Sequence, residues 1–474
     1  MATVEARSYE PSLTRTLTLL PAMALIVTNV VGTGIFTKTR AMTCNVGSPW
    51  LVLLAFAAAG LLTLAGALTF AELGAMLPRS GGHYTYIGTA FGRFWAFLFG
   101  WMETLLDGAA SVAAIAMVFA IFLNDLTGGA LSSGEVLLAT LATIGATTLL
   151  ASASMHANGR VVAVMTALKL LLIAGIGVAA FWVADGSFAH FAGNAAGAAC
   201  ADVSLSARHG IAGFGAAMIG ALWAYNGWAD LSFVAEEVRR PGVTLPRAII
   251  GSSLLVIALY LLVNLGYFFA LDPKTIAGLP ETASVAGAVL SRLFGAGGAS
   301  LLIVAMMIST AGALHSTSLS IARIPFGMAR DGLLPAWLAA VSPRSRVPVH
   351  ATLLVGLCAG LFALSGTFDA LTDMIVFALL FFNGLGVASV YVLRRSLPRL
   401  DRPYRVPGYP FVPAAFLIVS AALMLNTLIT APARALMGVA LVATGVPVYL
   451  FFSRRSRAVA AWDDDRFSGG IEDL

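Results

Sequence analysis

Charged residues and cysteine are both scarce in this sequence. Only 11% of its 474 residues are Asp, Glu, Lys or Arg, whereas a soluble protein carries about 25%. The three cysteines, Cys44, Cys200 and Cys358, have neither metal-ligand nor redox-motif spacing, so we do not expect the chemistry to depend on them. No HExxH sequence is present, and the six histidines are dispersed. We therefore predict that the protein is not an enzyme and holds no metal or cofactor.

Long apolar runs take the place of the missing charge. Hydrophobic residues make up 59% of the chain, and its mean hydropathy is +0.89. Most of the runs are long enough to span a membrane. They predict an all-α polytopic membrane protein, with a short amphipathic interfacial helix at Gly81–Gly92. The twelve apolar segments are at about 17–45, 48–76, 92–123, 134–154, 160–184, 209–236, 247–271, 283–322, 348–366, 370–394, 411–429 and 432–453.

The distribution of basic residues predicts how the spans are oriented. With the N-terminus inside the cell, 21 of the 28 Lys and Arg residues fall in inner loops and tails, six in outer loops, and Lys169 in a span. Inner loops of membrane proteins carry such an excess. We expect a multi-pass protein of the plasma (inner) membrane with both termini cytoplasmic. Glu72, Glu236 and Glu237, near inner helix ends, are expected to be gate or loop-pairing charges.

The first apolar segment is interrupted by glycine near its middle. Gly32, Thr33 and Gly34 stand where a plain spanning helix would carry Leu, Ile or Ala. Glycine weakens a helix by roughly 1 kcal/mol relative to alanine, and open backbone within a membrane must line a cavity or be buried in protein. We predict two half-helices, with the N–H groups of Thr33, Gly34 and Ile35 suited to a carboxylate and the carbonyls near Val30 to an ammonium group. The alternative is that the glycines only permit close helix packing.

The sixth segment contains a second interruption. Its turn dipeptide Asn226-Gly227 lies in mid-span between the aromatic residues Trp223, Tyr225 and Trp228. The first and sixth segments hold corresponding places in two five-helix halves of opposite topology. Paired interruptions at such positions are typical of a transporter's binding site, although two unrelated kinks are the alternative. We predict a substrate site between them.

Three ionisable residues within predicted spans are candidates for a role in coupling or gating. Lys169 is deep in the fifth segment, where a charge costs about 3 kcal/mol or more and usually faces the bundle interior. The alternative is that it snorkels to the inner interface, nine residues from Arg160. Glu103 and Asp107 are four residues apart in the third segment and so share a helix face. They are candidates for a proton relay or for partners of Lys169, or form a solvated pair near the inner mouth.

Several motifs, in order along nearly the whole chain, resemble one known family. Together they are similar to the amino acid–polyamine–organocation (APC) superfamily, and the sixth-segment motif resembles its L-type amino acid transporter branch. The matching stretches are Gly32–Phe36, Gly66–Tyr84, Trp223–Glu237, Leu245–Ala248, Ser320–Arg323, Met328–Pro335 and Arg402–Pro407.

The resemblance implies a fold and a function. The fold would be leucine-transporter-like, with twelve transmembrane helices in a 5+5 inverted repeat plus two extra helices. The function would be sodium-independent secondary active transport of amino acids by alternating access, as an exchanger or a proton symporter. The alternatives are a cationic amino acid or polyamine permease of the same fold, and a transporter-like nutrient receptor.

The resemblance also implies roles for individual residues. The substrate carboxylate would bind at Thr33, Gly34 and Ile35, and its amine at the carbonyls of Val30, Trp223 and Asn226. Trp223 would close the site as an aromatic lid. Asn226 replaces the small residue or acid often found there, which favours a neutral substrate. Lys169 would occupy the place of the first sodium ion in sodium-coupled cousins, and Glu103 or Asp107 would assist coupling.

We divide the chain accordingly. Residues 1–16 form an N-terminal tail, 17–395 the transport core with repeats at 17–184 and 209–395, 396–453 the two extra helices, and 454–474 a disordered cytoplasmic tail. Animal members of the branch pair with a glycoprotein through a cysteine between their third and fourth helices. The loop Asn124–Glu135 has none, so we expect no disulfide-linked accessory subunit. The expected partners are an amino acid and the lipid bilayer, and no nucleic acid.

Overall fold

The described chain is a bundle of helices. A computed structural model describes residues 13–32, 34–127, 129–153, 155–198, 200, 203–280, 284–365, 368–430 and 432–455. Most of the two predicted tails, residues 1–12 and 456–474, lies outside the described residues. The helices are α1 (Leu19–Val30), α2 (Gly34–Val46), α3 (Pro49–Met76), α4 (His83–Phe91), α5 (Arg93–Trp101), α6 (Ala109–Leu126), α7 (Ser133–Ala151), α8 (Met155–Ala179), α9 (Gly210–Ala224), α10 (Pro241–Ala270), α11 (Pro273–Ala277), α12 (Val285–Phe294), α13 (Ala296–Ile321), α14 (Arg323–Arg330), α15 (Val349–Ser365), α16 (Phe368–Ser396), α17 (Phe411–Thr430), α18 (Pro432–Ala443) and α19 (Gly445–Arg455).

The predicted all-α membrane class is confirmed. In the described residues, nine helical stretches are long and apolar enough to cross a membrane, and α1, α9, α12 and α15 are shorter apolar helices. Each of the twelve predicted segments coincides with one helix or with consecutive helices. Two of the shorter helices, α1 and α9, are the first halves of the interrupted first and sixth segments. The count of twelve spans stays a prediction.

Two segments differ from their predicted form. The eighth segment is two helices, α12 and α13, because Gly295 between them takes a φ of 57° that favours glycine. The predicted interfacial helix exists as α4, but His83, Tyr84 and Tyr86 are buried, and α4 packs on α5 and α16. Its aromatic residues therefore belong to the core and not to a membrane surface.

The packing of the helices follows the order of the two predicted halves. The second and seventh segments pack together as α3 and α10, the third and eighth as α6 and α13, and the fourth and ninth as α7 and α15. The first interrupted helix, α1, packs on α8, α10 and α13. Each pair joins helices that hold corresponding places in the two halves, as an inverted repeat requires. The repeat boundaries themselves stay a prediction.

The two ends of the bundle differ in their side chains. Helix α3, about 42 Å long from its 28 residues, begins beside the end of α2 and finishes near Glu72, which pairs with arginines. We call the end that holds Arg323, Arg330, Arg394 and Arg402 the arginine-rich face. We call the other end, which holds Cys44 and Cys200, the cysteine face.

A disulfide on the cysteine face was not predicted. Cys44, near the end of α2, is bonded to Cys200 in the segment before α9, 156 residues away. So large a separation forms no local motif, which is why no pattern in the sequence pairs them. The bond ties the second half of the first interrupted helix to the connection between the two predicted repeats.

Candidate substrate site at the two helix interruptions

The two predicted interruptions are confirmed, and they touch each other. Helix α1 ends at Val30 and α2 begins at Gly34, while α9 ends at Ala224 and a 3-10 helix begins at Asp230. Gly227 has a φ of 97°, and a Cβ on it would lie 3.0 Å from Asn29 Cβ and 3.3 Å from the Val30 nitrogen. Only glycine fits this conformation and this close approach.

A hydrogen bond also joins the interruptions. Asn29 Nδ2, near the end of α1, donates to Asp230 Oδ2 at 2.7 Å. Asp230 is the first residue of the 3-10 helix that follows the second interruption. The two breaks therefore form one structural unit, although they are about 200 residues apart in sequence.

A cavity of about 500 Å³ opens beside this unit. Its size lies within the range of small-molecule sites in proteins. Most of the sequence-predicted site residues line it, together with side chains from α6 and α13. The predicted residues that line it are Val30, Gly32, Gly34, Glu103, Asp107, Trp223, Asn226 and Gly227.

Two predicted site residues, Ile35 and Lys169, do not line the cavity. Ile35 is fully buried in the core cluster, and Lys169 lies behind α1. Gly34, one of the residues whose N–H group was proposed for the carboxylate, borders the cavity. Thr33 lies outside the described residues.

The backbone carbonyls expected to hold an amine already have partners. The carbonyl oxygen of Val30 accepts hydrogen bonds from Tyr260 Oη at 3.0 Å and from the Gly32 N–H at 2.9 Å. Tyr260 Oη also lies 2.9 Å from the carbonyl oxygen of Ala224, and the Trp223 carbonyl accepts from the Asn226 N–H at 3.2 Å. In this conformation the Val30 carbonyl thus accepts two hydrogen bonds and the Trp223 carbonyl one, and their binding of a substrate amine stays a prediction. Tyr260 of α10, which no sequence pattern singled out, lies between both helix ends.

The two glycines of the first interruption have different roles. A Cβ on Gly34 would lie 2.9 Å from both Ala224 Cα and Ala224 Cβ, so α2 and α9 approach too closely there for any side chain. A Cβ on Gly32 would meet nothing within 4 Å. The packing alternative thus describes Gly34, while Gly32 leaves open space beside the cavity.

Trp223 stands at one border of the cavity. It is half-buried, and the Lys38 ammonium lies 4.4 Å from the centre of its ring. A cation over an indole face is an attractive arrangement. Both side chains line the cavity, which is the position that an aromatic lid requires.

Three carboxyl groups line the same cavity. Glu103 and Asp107 lie on a π-helical turn, Met102–Gly108, that joins α5 to α6. They face the same space, as their spacing predicted, although the turn is wider than an α-helix. The third, Asp230, was not among the residues predicted from the sequence. The one feature that could have indicated it is its position as an acid four residues after Asn226.

Lys169 is fully buried and holds the first interrupted helix. Its Nζ donates to the carbonyl oxygen of Thr28 at 2.9 Å. One turn earlier, Thr166 Oγ1 donates to the carbonyl oxygen of Ala24 at 2.9 Å. The lysine therefore does not snorkel to the interface, and within the described part of the chain it forms no ion pair with an acid. Of the alternatives left open for Glu103 and Asp107, the pairing with Lys169 therefore does not apply to this conformation, and the proton relay stays a prediction.

Ion pairs close the arginine-rich face. Arg323 Nε lies 2.8 Å from Glu237 Oε1, and both side chains are fully buried. Phe233 and Val234, which stand between Asp230 and Glu237 on the same 3-10 helix, are also buried. The other predicted gate or loop charges are also paired and do not line the cavity: Glu236 with Arg330 at 2.9 Å, and Glu72 with Arg394 at 2.6 Å.

A second contact on this face joins α4 and α5 to the residue after α14. Tyr84 Oη donates to Asp331 Oδ2 at 2.6 Å, and Arg93 Nη2 donates to the Asp331 carbonyl oxygen at 2.6 Å. Burial raises the pKa of the Asp331 carboxyl, and the hydrogen bond from Tyr84 opposes that shift. These bonds hold α4 and α5 against the end of α14.

Two interrupted helices that meet at a cavity inside a membrane-type helix bundle define a transporter of small solutes. The comparison with known families gives the same class. The model of the amino acid permease family matches residues 17–452, so the chain belongs to that family. Membership agrees with the leucine-transporter-like fold expected from the sequence motifs. The protein is an amino acid permease, a multi-pass membrane transporter and not an enzyme.

Individual relatives align over almost the whole chain. The serine/threonine exchanger SteT of Bacillus subtilis (strain 168) is 31% identical over 446 residues, which cover 92% of this chain and 96% of the relative. The b(0,+)-type amino acid transporter 1 of Mus musculus is 31% identical over 451 residues, covering 93% and 88%. The large neutral amino acids transporter small subunit 2 of Mus musculus is 31% identical over 444 residues, covering 91% and 80%. The resemblance to the L-type branch is confirmed.

Proposed function

We propose that this protein is a sodium-independent secondary active transporter that binds the zwitterionic part of an amino acid between its two helix interruptions. The observation that carries the proposal is the direct contact of the two breaks, through Gly227 and the Asn29–Asp230 hydrogen bond, beside a cavity of about 500 Å³. The N-terminus of α2 offers a partial positive charge to the substrate carboxylate. The polar groups near Asn226 face the substrate amine.

Alternating access supplies the transport cycle. In this proposal the Glu237–Arg323 pair, together with the buried residues Phe233 and Val234, closes the path from the cavity to the arginine-rich face. The opposite state requires those contacts to part while the Trp223 side closes over the substrate. Trp223 acts as the lid, and the protein works as an exchanger or a proton symporter.

Lys169 replaces a bound sodium ion in this proposal. Its ammonium donates from a fully buried position to the carbonyl oxygen of Thr28, one of the last residues of α1. A fixed positive charge at that place leaves no reason for a sodium ion to bind there. Transport is therefore independent of sodium.

The orientation follows from the charges and the disulfide. The arginine-rich face is cytoplasmic, in agreement with the positive-inside pattern. The Cys44–Cys200 disulfide then lies on the outer side, where disulfides persist. Both termini are cytoplasmic, and the membrane is the plasma (inner) membrane. Since Cys358, the one unpaired cysteine of the chain, lies on a span helix, no disulfide-linked accessory subunit is expected.

Two classes of amino acid are candidates for the substrate, and they differ in the charge of the side chain. The amide of Asn226 favours a neutral amino acid, as the serine/threonine and large neutral amino acid relatives transport. The three carboxyl groups in the cavity favour a basic amino acid, which was the alternative substrate in the sequence analysis.

Flux measurement on purified protein tests the proposal. A thermal-shift screen with all common amino acids first identifies ligands, because a ligand that binds only the native state raises its stability. The best ligand is then taken up into liposomes with and without a sodium gradient. We expect accumulation or exchange that does not change when sodium is replaced by choline.

Two results would contradict the proposal. Binding without any flux would make the protein a nutrient receptor with a transporter fold. Uptake that depends on a sodium gradient would contradict the role of Lys169 as a substitute for the ion.

A further inference from the structure

The cavity at the interruptions is lined mainly by acidic side chains among its ionisable residues. Glu103, Asp107 and Asp230 line it, and Lys38 is the only basic side chain among the described residues that line it. The ammonium of Lys38 lies over Trp223, at the border of the cavity. An amino acid zwitterion is neutral as a whole, so its backbone groups alone do not supply a cation for each of these acids.

The carboxyl groups are poorly satisfied by the protein. Glu103 is only 6% exposed, and in the described residues neither a hydrogen-bond donor nor a cation pairs with it. Asp107 has one long contact, 3.5 Å from Ser111 Oγ, and Asp230 accepts a single bond from Asn29. A buried carboxylate without a partner is costly, and Glu103 borders a space that a ligand could fill.

A metal ion does not fit this arrangement. No three His, Cys, Asp or Glu side chains in the described part of the chain lie close enough together to hold one. Carboxylates that are spread along a cavity wall suit an extended cation with several N–H donors. An ammonium has three such donors and a guanidinium five.

The acids are also correctly placed next to the backbone site. Asp230 begins the helical turn after the second interruption and bonds to Asn29 at the first. Glu103 and Asp107 project from the third segment into the same cavity. A side chain that extends from an α-carbon held at the interruptions therefore runs toward them.

We propose that Glu103, Asp107 and Asp230 form a subsite for the positively charged side chain of a basic amino acid. The proposal rests on the proposed amino acid transport and names the side-chain class that this site selects. It replaces the preference for a neutral substrate that Asn226 suggests.

Pairs of ligands that differ mainly in charge test the subsite. Binding of L-arginine is compared with that of L-citrulline, and L-lysine with L-norleucine, on the purified full-length protein. We expect the charged member of each pair to bind about tenfold to a hundredfold more tightly, as a hydrogen bond to a charged group requires.

Variants assign the preference to the three acids. Glu103→Gln, Asp107→Asn and Asp230→Asn should each reduce the arginine-to-citrulline affinity ratio about tenfold or more, while citrulline binding reports that the variant is folded. Asp107→Glu should keep the preference. Asp125→Asn, an exposed acid at the far end of α6, should leave the ratio unchanged.

Several outcomes would overturn the subsite. Equal affinity of the wild type for arginine and citrulline would do so while leaving amino acid transport intact. So would uptake of a neutral amino acid that is driven by a proton gradient and lost in Asp107→Asn, since the acids would then carry the proton. Failure to bind any amino acid would refute the proposed function itself, and the subsite with it.

Discussion

Tyr260 offers a direct test of how the two helix interruptions are held. It is fully buried on α10, and its hydroxyl lies 3.0 Å from the Val30 carbonyl oxygen and 2.9 Å from that of Ala224. These carbonyls end the two interrupted helices, α1 and α9. Replacing Tyr260 with phenylalanine removes only the hydroxyl, so both helix ends lose a donor while the ring packing is kept.

The size of the effect follows from these contacts. One hydroxyl carries one proton, so a single hydrogen bond is shared between the two carbonyls. In the variant the Val30 carbonyl keeps the Gly32 N–H as a donor, so the Ala224 carbonyl is the acceptor that loses its partner. Leaving a buried acceptor without its donor costs about 1–3 kcal/mol. Since the entropy of unfolding grows with chain length, a protein of 474 residues should lose roughly 1–3 °C in Tm. We also expect weaker substrate binding, because one of the links between the two breaks is lost while the Asn29–Asp230 bond remains.

Tyr267, two turns further along α10, provides the matched control. It is also fully buried, but its hydroxyl has no hydrogen-bond partner among the described residues. Tyr267→Phe should therefore leave Tm unchanged or raise it slightly. Melting curves at one scan rate and ligand titrations are measured for both variants. Identical behaviour of Tyr260→Phe and Tyr267→Phe would refute the claim that Tyr260 fastens the breaks.

Three further predictions concern other contacts of the site. Gly32→Leu should abolish ligand binding but keep the melting temperature, because the leucine side chain enters open space beside the cavity. Gly34→Ala should lower the melting temperature, because its Cβ collides with α9. The reverse pattern would contradict the different roles given to the two glycines. Lys169→Ala should abolish uptake in liposomes, because the carbonyl of Thr28 loses its donor. Lys169→Arg should show less uptake than the wild type. Full activity of Lys169→Ala would exclude a role of this lysine in transport. Glu237→Gln should destabilise the protein by about 3–5 kcal/mol because it removes the carboxylate that balances the charge of a buried arginine. Glu236→Gln, whose partner is half exposed, should cost less than about 1 kcal/mol in thermal or denaturant unfolding; equal losses would contradict the stronger contribution of the buried ion pair.

The helix interruptions were predictable because their cause is local. Glycine and an Asn-Gly dipeptide in the middle of an apolar run break a helix wherever the run is placed. Their approach to each other was also predictable, since corresponding positions in two halves meet in such a fold. What the pattern did not reveal is the use of each glycine: Gly34 serves the packing of α2 on α9, and Gly227 serves the contact with Asn29.

Other parts of the site depend on contacts between distant segments. Tyr260 occurs in an ordinary apolar helix, and only packing shows that its hydroxyl reaches two helix ends. Asp230 belongs to a recognisable motif, yet its partner Asn29 lies in another segment. The interpretation of Lys169 as a buried residue was correct, because a lone charge deep in a span has few alternatives, but its acceptor, a backbone carbonyl, has no signature in sequence.

The disulfide on the cysteine face restricts how α2 can move. Cys44 lies near the far end of that helix, and its Cα is 5.8 Å from that of Cys200. The near end of α2 has no helical connection to α1, because the helix is interrupted between Val30 and Gly34. A tilt of α2 therefore pivots about the disulfide-bonded end of the helix. Its largest displacement is at the opposite end, which borders the cavity. Any outward shift of the hinge must carry the segment around Cys200 with it.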